Sequence, residues 1–142
     1  MMKFNRIRNI FMKNKLIFWA ALSGFFSIAF GAFAAHGLSK ILEPQALNWI
    51  DTGLKYQFFH TLALLCLGCF QLLYMPQANV PACRYRLLNL IGFSWFAGIL
   101  FFSGSLYALA LGGAHFLVWL TPVGGIAFLV GWAGLIWLSL RH

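Results

Sequence analysis

Residues 16–35 read LIFWAALSGFFSIAFGAFAA, and this run of twenty residues without a charged side chain decides the fold. A helix rises about 1.5 Å per residue, so a run of this length reaches across a hydrocarbon core of about 30 Å. Three further runs contain no Lys, Arg, Asp or Glu: residues 58–74, 87–111 and 116–140. Backbone amides in lipid must bond within their own segment, and no alternating pattern of a barrel occurs. The sequence therefore predicts four transmembrane helices.

The composition excludes most soluble classes of protein. Hydrophobic residues make up 62% of the 142 residues and charged residues 8%, against about 45–50% and about 25% in soluble domains. A cytosolic enzyme, a disordered chain and a nucleic-acid-binding domain are all disfavoured. We expect an all-α protein, a four-helix transmembrane bundle, with a basic tail at residues 1–15 and a single membrane domain at residues 16–140.

The distribution of basic residues predicts the orientation, because Lys and Arg close to the ends of spans are retained in the cytoplasm. Eight bases fall on one side: five within residues 1–15, then Arg84, Arg86 and Arg141. The other side has Lys40 and Lys55, and the third connection, residues 112–115, has no base. The sequence thus predicts a multi-pass membrane protein with both termini in the cytoplasm.

The first span has a competing interpretation. A basic start, an apolar run and the triplet Ala32-Phe33-Ala34 also describe a secretory signal with a cleavage site. The run is longer than the about 7–15 apolar residues of such a signal. Cleavage would also leave three spans with the wrong distribution of loop charge. We therefore expect residues 16–35 to remain as a span.

The partners expected from the sequence begin with the lipid bilayer. Phe4, Ile7 and Phe11 share one helical face of the basic tail, which favours contact with anionic lipids. A disordered tail that serves only as a topology signal is the alternative. No nucleic acid is expected, and a homo-oligomer or a membrane-protein partner stays open.

Residues 44–56 form an amphipathic pattern between the first two spans. Pro44 suits the first turn of a helix, and Leu47, Ile50 and Leu54 share a face. The pattern predicts a short helix on the outer interface, with Trp49 as an anchor, running into the second span. A re-entrant lid over the bundle is the alternative.

Small residues inside the spans predict close helix packing. Such residues recur every four positions at Ser23, Ser27, Gly31 and Ala35, at Gly104, Ala108 and Gly112, and at Ala127 and Gly131. Cys66 and Cys69 lie mid-span, where a reactive thiolate is disfavoured, so they are interpreted as packing residues instead of a redox pair.

Polar residues concentrate toward the outer ends of the spans, where they are expensive to bury and usually face the bundle interior. The candidate ligand-binding residues are His36, Tyr56, Gln57, His60, Ser103, Tyr107 and Thr121. Two interpretations stay open: interhelical hydrogen bonds that fix the bundle, or a small-ligand or proton-linked site. We expect His36 and His60 to face the interior and approach each other.

Catalytic and metal chemistry find little support in the sequence. Histidines His36 and His60 with Glu43, Asp51 or His115 could in principle bind zinc or copper, but no HxxxH or HxxE spacing occurs. The chain has 2 carboxylate side chains in total, and no catalytic triad order or phosphate-binding loop is present. No enzyme activity, metal or cofactor is predicted.

Motifs in all four spans resemble a known family. They are GAFAAHGL at 31–38, Thr52-Gly53 before Tyr56-Gln57 and His60, SGSLY at 103–107, and TPVGG at 121–125 with Phe128 and Gly131-Trp132. Because of these motifs, the chain resembles the YgdD-like family of small bacterial inner-membrane proteins of uncharacterised function. The resemblance covers residues 16–140.

This resemblance implies a four-helix, multi-pass protein of the bacterial inner (plasma) membrane with no established activity or cofactor. It argues against signal cleavage, because a cut after Ala34 would fall inside the first motif. The chain departs from the family at Ala34, where glycine is usual, which puts in doubt a closest backbone approach at that position. The expected function is structural or accessory, and the alternative is a ligand-binding or proton-linked transport module.

Overall fold

The computed structural model describes residues 14–74 and 81–140, which are helical and contain no strand. Within these two ranges, four helical segments are long and apolar enough to cross a membrane. We name them span 1 (Lys15–Lys40), span 2 (Pro44–Leu73), span 3 (Ala82–Ala110) and span 4 (His115–Leu140). The predicted all-α four-helix architecture is thereby confirmed. The two interpretations of the basic tail concern residues that lie almost wholly outside the described ranges.

Span 1 is the helix Lys15–His36, followed by a 3-10 turn at Leu38–Lys40. Asn14 caps its start, since the Asn14 Oδ1 accepts from the backbone N–H of Leu16 at 3.0 Å and of Ile17 at 3.3 Å. Nδ2 of the same side chain donates to the Gly68 carbonyl oxygen at 3.0 Å. One residue therefore satisfies free helix donors and fixes the start of span 1 beside the far end of span 2.

Span 2 is one continuous helix, Pro44–Tyr74, so the expected amphipathic helix runs into the second span without a break. Residues 44–56 form its first turns, and the predicted apolar face exists. That face packs against protein: Ile50 is 2% exposed and lies in a cluster with Ala34 and Tyr107. Because the helix continues without a break, the segment is also not a re-entrant lid.

Span 3 contains an interruption that the sequence did not predict. The helix Ala82–Gly98 passes through a π-helical turn, Ile99–Ser103, into the helix Gly104–Ala110. A π turn inserts one residue and so changes which side chains face each neighbour. Directly after it, Ser105 and Thr121 join spans 3 and 4 through their hydroxyl groups at 2.7 Å.

The connection to span 4 turns at Gly112, whose φ of +83° lies in the left-handed region that favours glycine. The Gly113 N–H donates to the Ala108 carbonyl oxygen at 2.7 Å and closes the turn. Span 4 then begins with a 3-10 turn, His115–Trp119, and continues as the helix Leu120–Leu140.

Close backbone approach joins spans 3 and 4. A Cβ at Gly124 would collide with the backbone of Phe102, and one at Gly131 would collide with the Trp95 indole ring. Gly131 thus confirms part of the predicted small-residue packing. Gly104 meets nothing within 4 Å, so its predicted packing role is wrong. In span 1, Ser23 and Ser27 are buried, but Ala34 and not Ala35 is the buried alanine at the far end.

Spans 2 and 3 are the central elements, since span 2 packs against spans 1 and 3 and span 3 packs against spans 2 and 4. Spans 2 and 4 meet mainly through long side chains, as between Phe59 and Trp132, whose ring centroids are 5.7 Å apart. This arrangement leaves a cleft between spans 2 and 4. We call the end of the bundle with Asp51 and Lys55 the outer end, following the predicted orientation, and the end with Asn14 the inner end.

Candidate functional site

Gln57 is the centre of the buried polar cluster. Its Nε2 donates to the carbonyl oxygen of Ser23 at 3.0 Å and lies 3.2 Å from the Ser23 hydroxyl. The Ser23 hydroxyl also hydrogen-bonds the Thr61 hydroxyl at 2.6 Å. These bonds join span 1 to span 2 in the interior, where polar groups have no access to water.

Span 3 completes the same cluster from the other side. The Tyr107 hydroxyl donates to the Gln57 Oε1 at 2.7 Å, and the Ser103 hydroxyl donates to the Gly53 carbonyl oxygen at 2.7 Å. Ser103 and Tyr107 are one helical turn apart, so both face span 2 as their spacing predicts. A Cβ at Gly53 would lie 2.6 Å from the Tyr107 ring, which shows how closely this ring covers the backbone of span 2.

His60 faces away from this cluster, toward span 4. Its ring stacks on the Phe128 ring with centroids 3.6 Å apart, and the side chain is 3% exposed. The Trp132 Nε1 lies 3.1 Å from the His60 Nε2, and the His60 Nδ1 lies 2.8 Å from the Tyr56 carbonyl oxygen. An indole N–H can only donate, so Nε2 accepts and Nδ1 carries the proton. Both ring nitrogens of a neutral His60 are thus occupied by the protein itself.

His36 does not join the other candidates. It ends the helix of span 1 and is exposed, so the expectation that it faces the interior is wrong. Gly24 lies opposite Thr61, the neighbour of His60. His36 is twelve residues further along span 1, about 18 Å along the helix axis. The expected approach of His36 and His60 is therefore wrong as well, because span 2 starts at Pro44 and places His60 deeper than predicted.

The structure divides the remaining candidates into three places. Gln57, Ser103 and Tyr107 meet in the buried cluster, Tyr56 lies beside His60, and Thr121 bonds Ser105 outside both groups. Sequence reasoning missed Ser23, Thr61 and Trp132 as partners. Ser23 had a usable signal, since it belongs to the predicted small-residue stripe of span 1.

An outer cavity of about 680 Å³ lies in the cleft between spans 2 and 4. Tyr56 and His60 line it from span 2, and Pro122 and Gly125 line it from span 4. Its wall is mostly aromatic and aliphatic, and the polar cluster around Gln57 does not line it. A pocket and a polar cluster are both present, but they lie on opposite faces of span 2.

Two polar features belong to the inner half. Gln71 Nε2 donates to the Asn89 Oδ1 at 3.1 Å and joins spans 2 and 3. Trp95 Nε1 is the one buried side-chain nitrogen or oxygen within residues 14–74 and 81–140 that has no hydrogen-bond partner. It lies against Gly131, where a Cβ would be 2.5 Å away. Close packing of the indole on span 4 accounts for this missing bond.

The cysteines and potential metal ligands form no site in the described part of the chain. Cys66 is exposed and Cys69 is half-buried, and both are free, so Cys66 does not serve the interior packing expected of it. No group of three or more His, Cys, Asp or Glu side chains that could hold a metal ion occurs among the residues described.

Comparison with known proteins places this architecture in a family. A family model described as "Protein of unknown function (DUF423)" matches residues 30–125, which include Gln57, His60 and Tyr107. The chain belongs to the DUF423 family. The resemblance to YgdD-like proteins is confirmed, and the family description assigns no activity.

Relatives of this DUF423 protein cover nearly its whole length. A "UPF0382 membrane protein" of Haemophilus influenzae is 52% identical over 130 residues, covering 92% of this chain and 97% of the relative. The "UPF0382 inner membrane protein YgdD" of Escherichia coli K12 is 41% identical over 131 residues, covering 89% of each. The "UPF0382 membrane protein SSP2132" of Staphylococcus saprophyticus is 38% identical over 120 residues, covering 84% and 92% respectively. No solved structure matches this DUF423 chain.

Proposed function

We propose that this chain is a structural or accessory protein of the bacterial inner membrane, without enzymatic activity, and that both of its termini lie in the cytoplasm. The observation that carries the proposal is the internal pairing of its polar side chains. Gln57 bonds to spans 1 and 3, and Ser103 bonds to span 2. Neither these two residues nor Tyr107 lines the outer cavity. Such bonds hold helices together in lipid.

His60 supports the same interpretation. A residue that carries protons across a membrane must exchange them with water or with another titratable group. Both His60 nitrogens are bonded within the protein, so neither is available to pass a proton into the outer cavity that the ring lines. The orientation rests on the excess of bases at the inner end, as given above.

A second candidate function, binding of a small apolar ligand, is favoured by the outer cavity. Its volume of about 680 Å³ is within the range of about 300–1,000 Å³ typical of ligand pockets. Lys55, Tyr56 and His60 would be the polar groups beside such a ligand.

Proton flux in proteoliposomes separates a structural role from a transport role. The wild-type protein should dissipate an imposed pH gradient no faster than empty liposomes do, and His60→Gln should behave identically. Flux that exceeds the empty control and is lost in His60→Gln would overturn the structural proposal. Tyr107→Phe serves as the matched variant, since it breaks the interior bond of Gln57 without touching the outer cavity.

A further inference from the structure

A second cavity, the inner groove, lies in the cleft between spans 2 and 4 at the inner end and has a volume of about 800 Å³. Its floor consists of Leu88 and Trp95 of span 3, which are buried at 0% and 1% exposure. Its walls come from spans 2 and 4 and include Leu62, Cys66, Phe70, Leu135 and Leu138. Apart from Arg84 and Ser139, the lining is apolar. The groove is therefore suited to a hydrocarbon chain.

The groove opens sideways, toward the membrane. Phe59, Leu62 and Phe70 of its wall are all exposed side chains, the first at 58%. Exposed apolar side chains in the middle of a transmembrane helix face lipid, because no water is present at that depth. An occupant can thus enter from the bilayer without crossing the bundle.

The length of the groove matches one leaflet. Its span 2 wall runs from Phe59 to Phe70, eleven residues and therefore about 16 Å along the helix. This is about half of the about 30 Å thickness of the hydrocarbon core. An acyl chain of a phospholipid in one leaflet fits this dimension.

Positive charge marks the inner end of the groove. Arg84 lines the groove, and Arg86 and Lys15 are exposed at the same end. The two acidic residues of the chain, Glu43 and Asp51, belong to the opposite end. Basic groups beside a pocket between transmembrane helices favour anionic lipid headgroups. The charge therefore favours a phospholipid whose headgroup has a phosphate and no positively charged group.

We propose that the inner groove binds one acyl chain of an anionic phospholipid, with the lipid phosphate at Arg84. This site is separate from the predicted lipid contacts of the basic tail, and it requires only that the chain lies in a membrane. A second copy of the chain is a poorer occupant. Two copies inserted in the same orientation and closed on this groove would hold their Arg84 side chains at one level, where like charges repel.

Native mass spectrometry of the full chain in detergent tests this proposal. The protein is titrated with palmitoyl-oleoyl phosphatidylglycerol or with the phosphatidylcholine of the same chains. We expect the anionic lipid to bind more tightly, and Arg84→Gln to weaken its binding about tenfold, as loss of one charge-assisted bond predicts. Lys40→Gln is the matched control, since Lys40 is exposed at the outer end and does not line the groove, and this variant should bind the lipid as the wild type does.

Cys66→Trp tests the groove itself. Cys66 is exposed on the groove wall, so an indole there should fill the groove without disturbing the interior, and an unchanged unfolding midpoint in lipid-free detergent verifies this. Loss of binding of both lipids in this variant supports the proposal. Unchanged lipid binding in Cys66→Trp, equal binding of the two lipids by the wild type, or a lipid-independent dimer that Cys66→Trp abolishes would overturn it.

Discussion

The hydroxyl group of Tyr107 donates to the Oε1 of Gln57 at 2.7 Å in the interior of the bundle, fifty residues away along the chain. This bond connects span 3 to span 2, and the same Gln57 side chain continues to Ser23 of span 1. Three spans are thus held at one depth by a single glutamine. The arrangement needs no ligand to be complete.

Removing that hydroxyl should destabilise the fold modestly. Tyr107→Phe keeps the ring that covers Gly53 but leaves the side-chain Oε1 of Gln57 without its hydrogen-bond donor. We expect the free energy of unfolding to fall by about 1–2 kcal/mol, the range for hydrogen bonds between membrane helices and for an unsatisfied buried acceptor. Unfolding in mixed micelles measures it. Tyr85→Phe, at an exposed tyrosine, is the control and should change little, and equal stability of both variants would contradict the role of the bond.

Alanine substitutions at two glycines distinguish the effect of close helix packing from the effect of helix propensity. Gly124→Ala places a methyl group against the backbone of Phe102, which cannot move aside as a flexible side chain can, so we expect a loss of about 1–3 kcal/mol. Gly104→Ala meets no neighbour within 4 Å and should be neutral or stabilising by about 0.5–1 kcal/mol. The same unfolding measurement compares them. A Gly124→Ala protein as stable as Gly104→Ala would contradict the close contact between Gly124 and the backbone of Phe102.

His60 should be a neutral imidazole with its proton on Nδ1. The Trp132 indole donates to Nε2, and the carbonyl of Tyr56 accepts from Nδ1. Nitrogen-15 NMR of labelled histidine distinguishes the two neutral tautomers and the imidazolium. We expect the Nδ1–H form at neutral pH, and Trp132→Phe should shift the Nε2 resonance because it removes that donor. An imidazolium, or a proton on Nε2, would contradict the interpretation of His60 as internally bonded.

The sequence predicted the four spans correctly because their uncharged length is a strong signal. It could not predict which face of each span is buried, since lipid and protein interior are both apolar. Phe25 is 75% exposed while Ser23 is buried, the reverse of the pattern in a water-soluble helix. The expected approach of His36 to His60 also failed, because residues 44–56 are the first turns of the second helix and place His60 deeper than predicted.

The site was predicted in part for a related reason. Ser103 and Tyr107 are one helical turn apart, and this spacing alone indicated their common face. Gln57 and His60 lie in different places because Gln57 faces spans 1 and 3 while His60 faces span 4. The packing order of the spans determines this, and it cannot be deduced from the spacing of the residues in the sequence. The π turn at Ile99–Ser103 has no sequence signature that we could use, although it determines how Ser105 reaches Thr121.

The central claim is that four spans cross the membrane with both termini in the cytoplasm, and Cys83 tests it most directly. Cys83 is exposed at the start of span 3, in the connection predicted to face the cytoplasm. In a Cys66→Ala, Cys69→Ala background, a membrane-impermeant maleimide should label Cys83 only after the cells are lysed. With Cys83→Ala added, His115→Cys in the opposite connection should be labelled in intact cells. Labelling of Cys83 in intact cells, with His115→Cys protected until lysis, would contradict the claim.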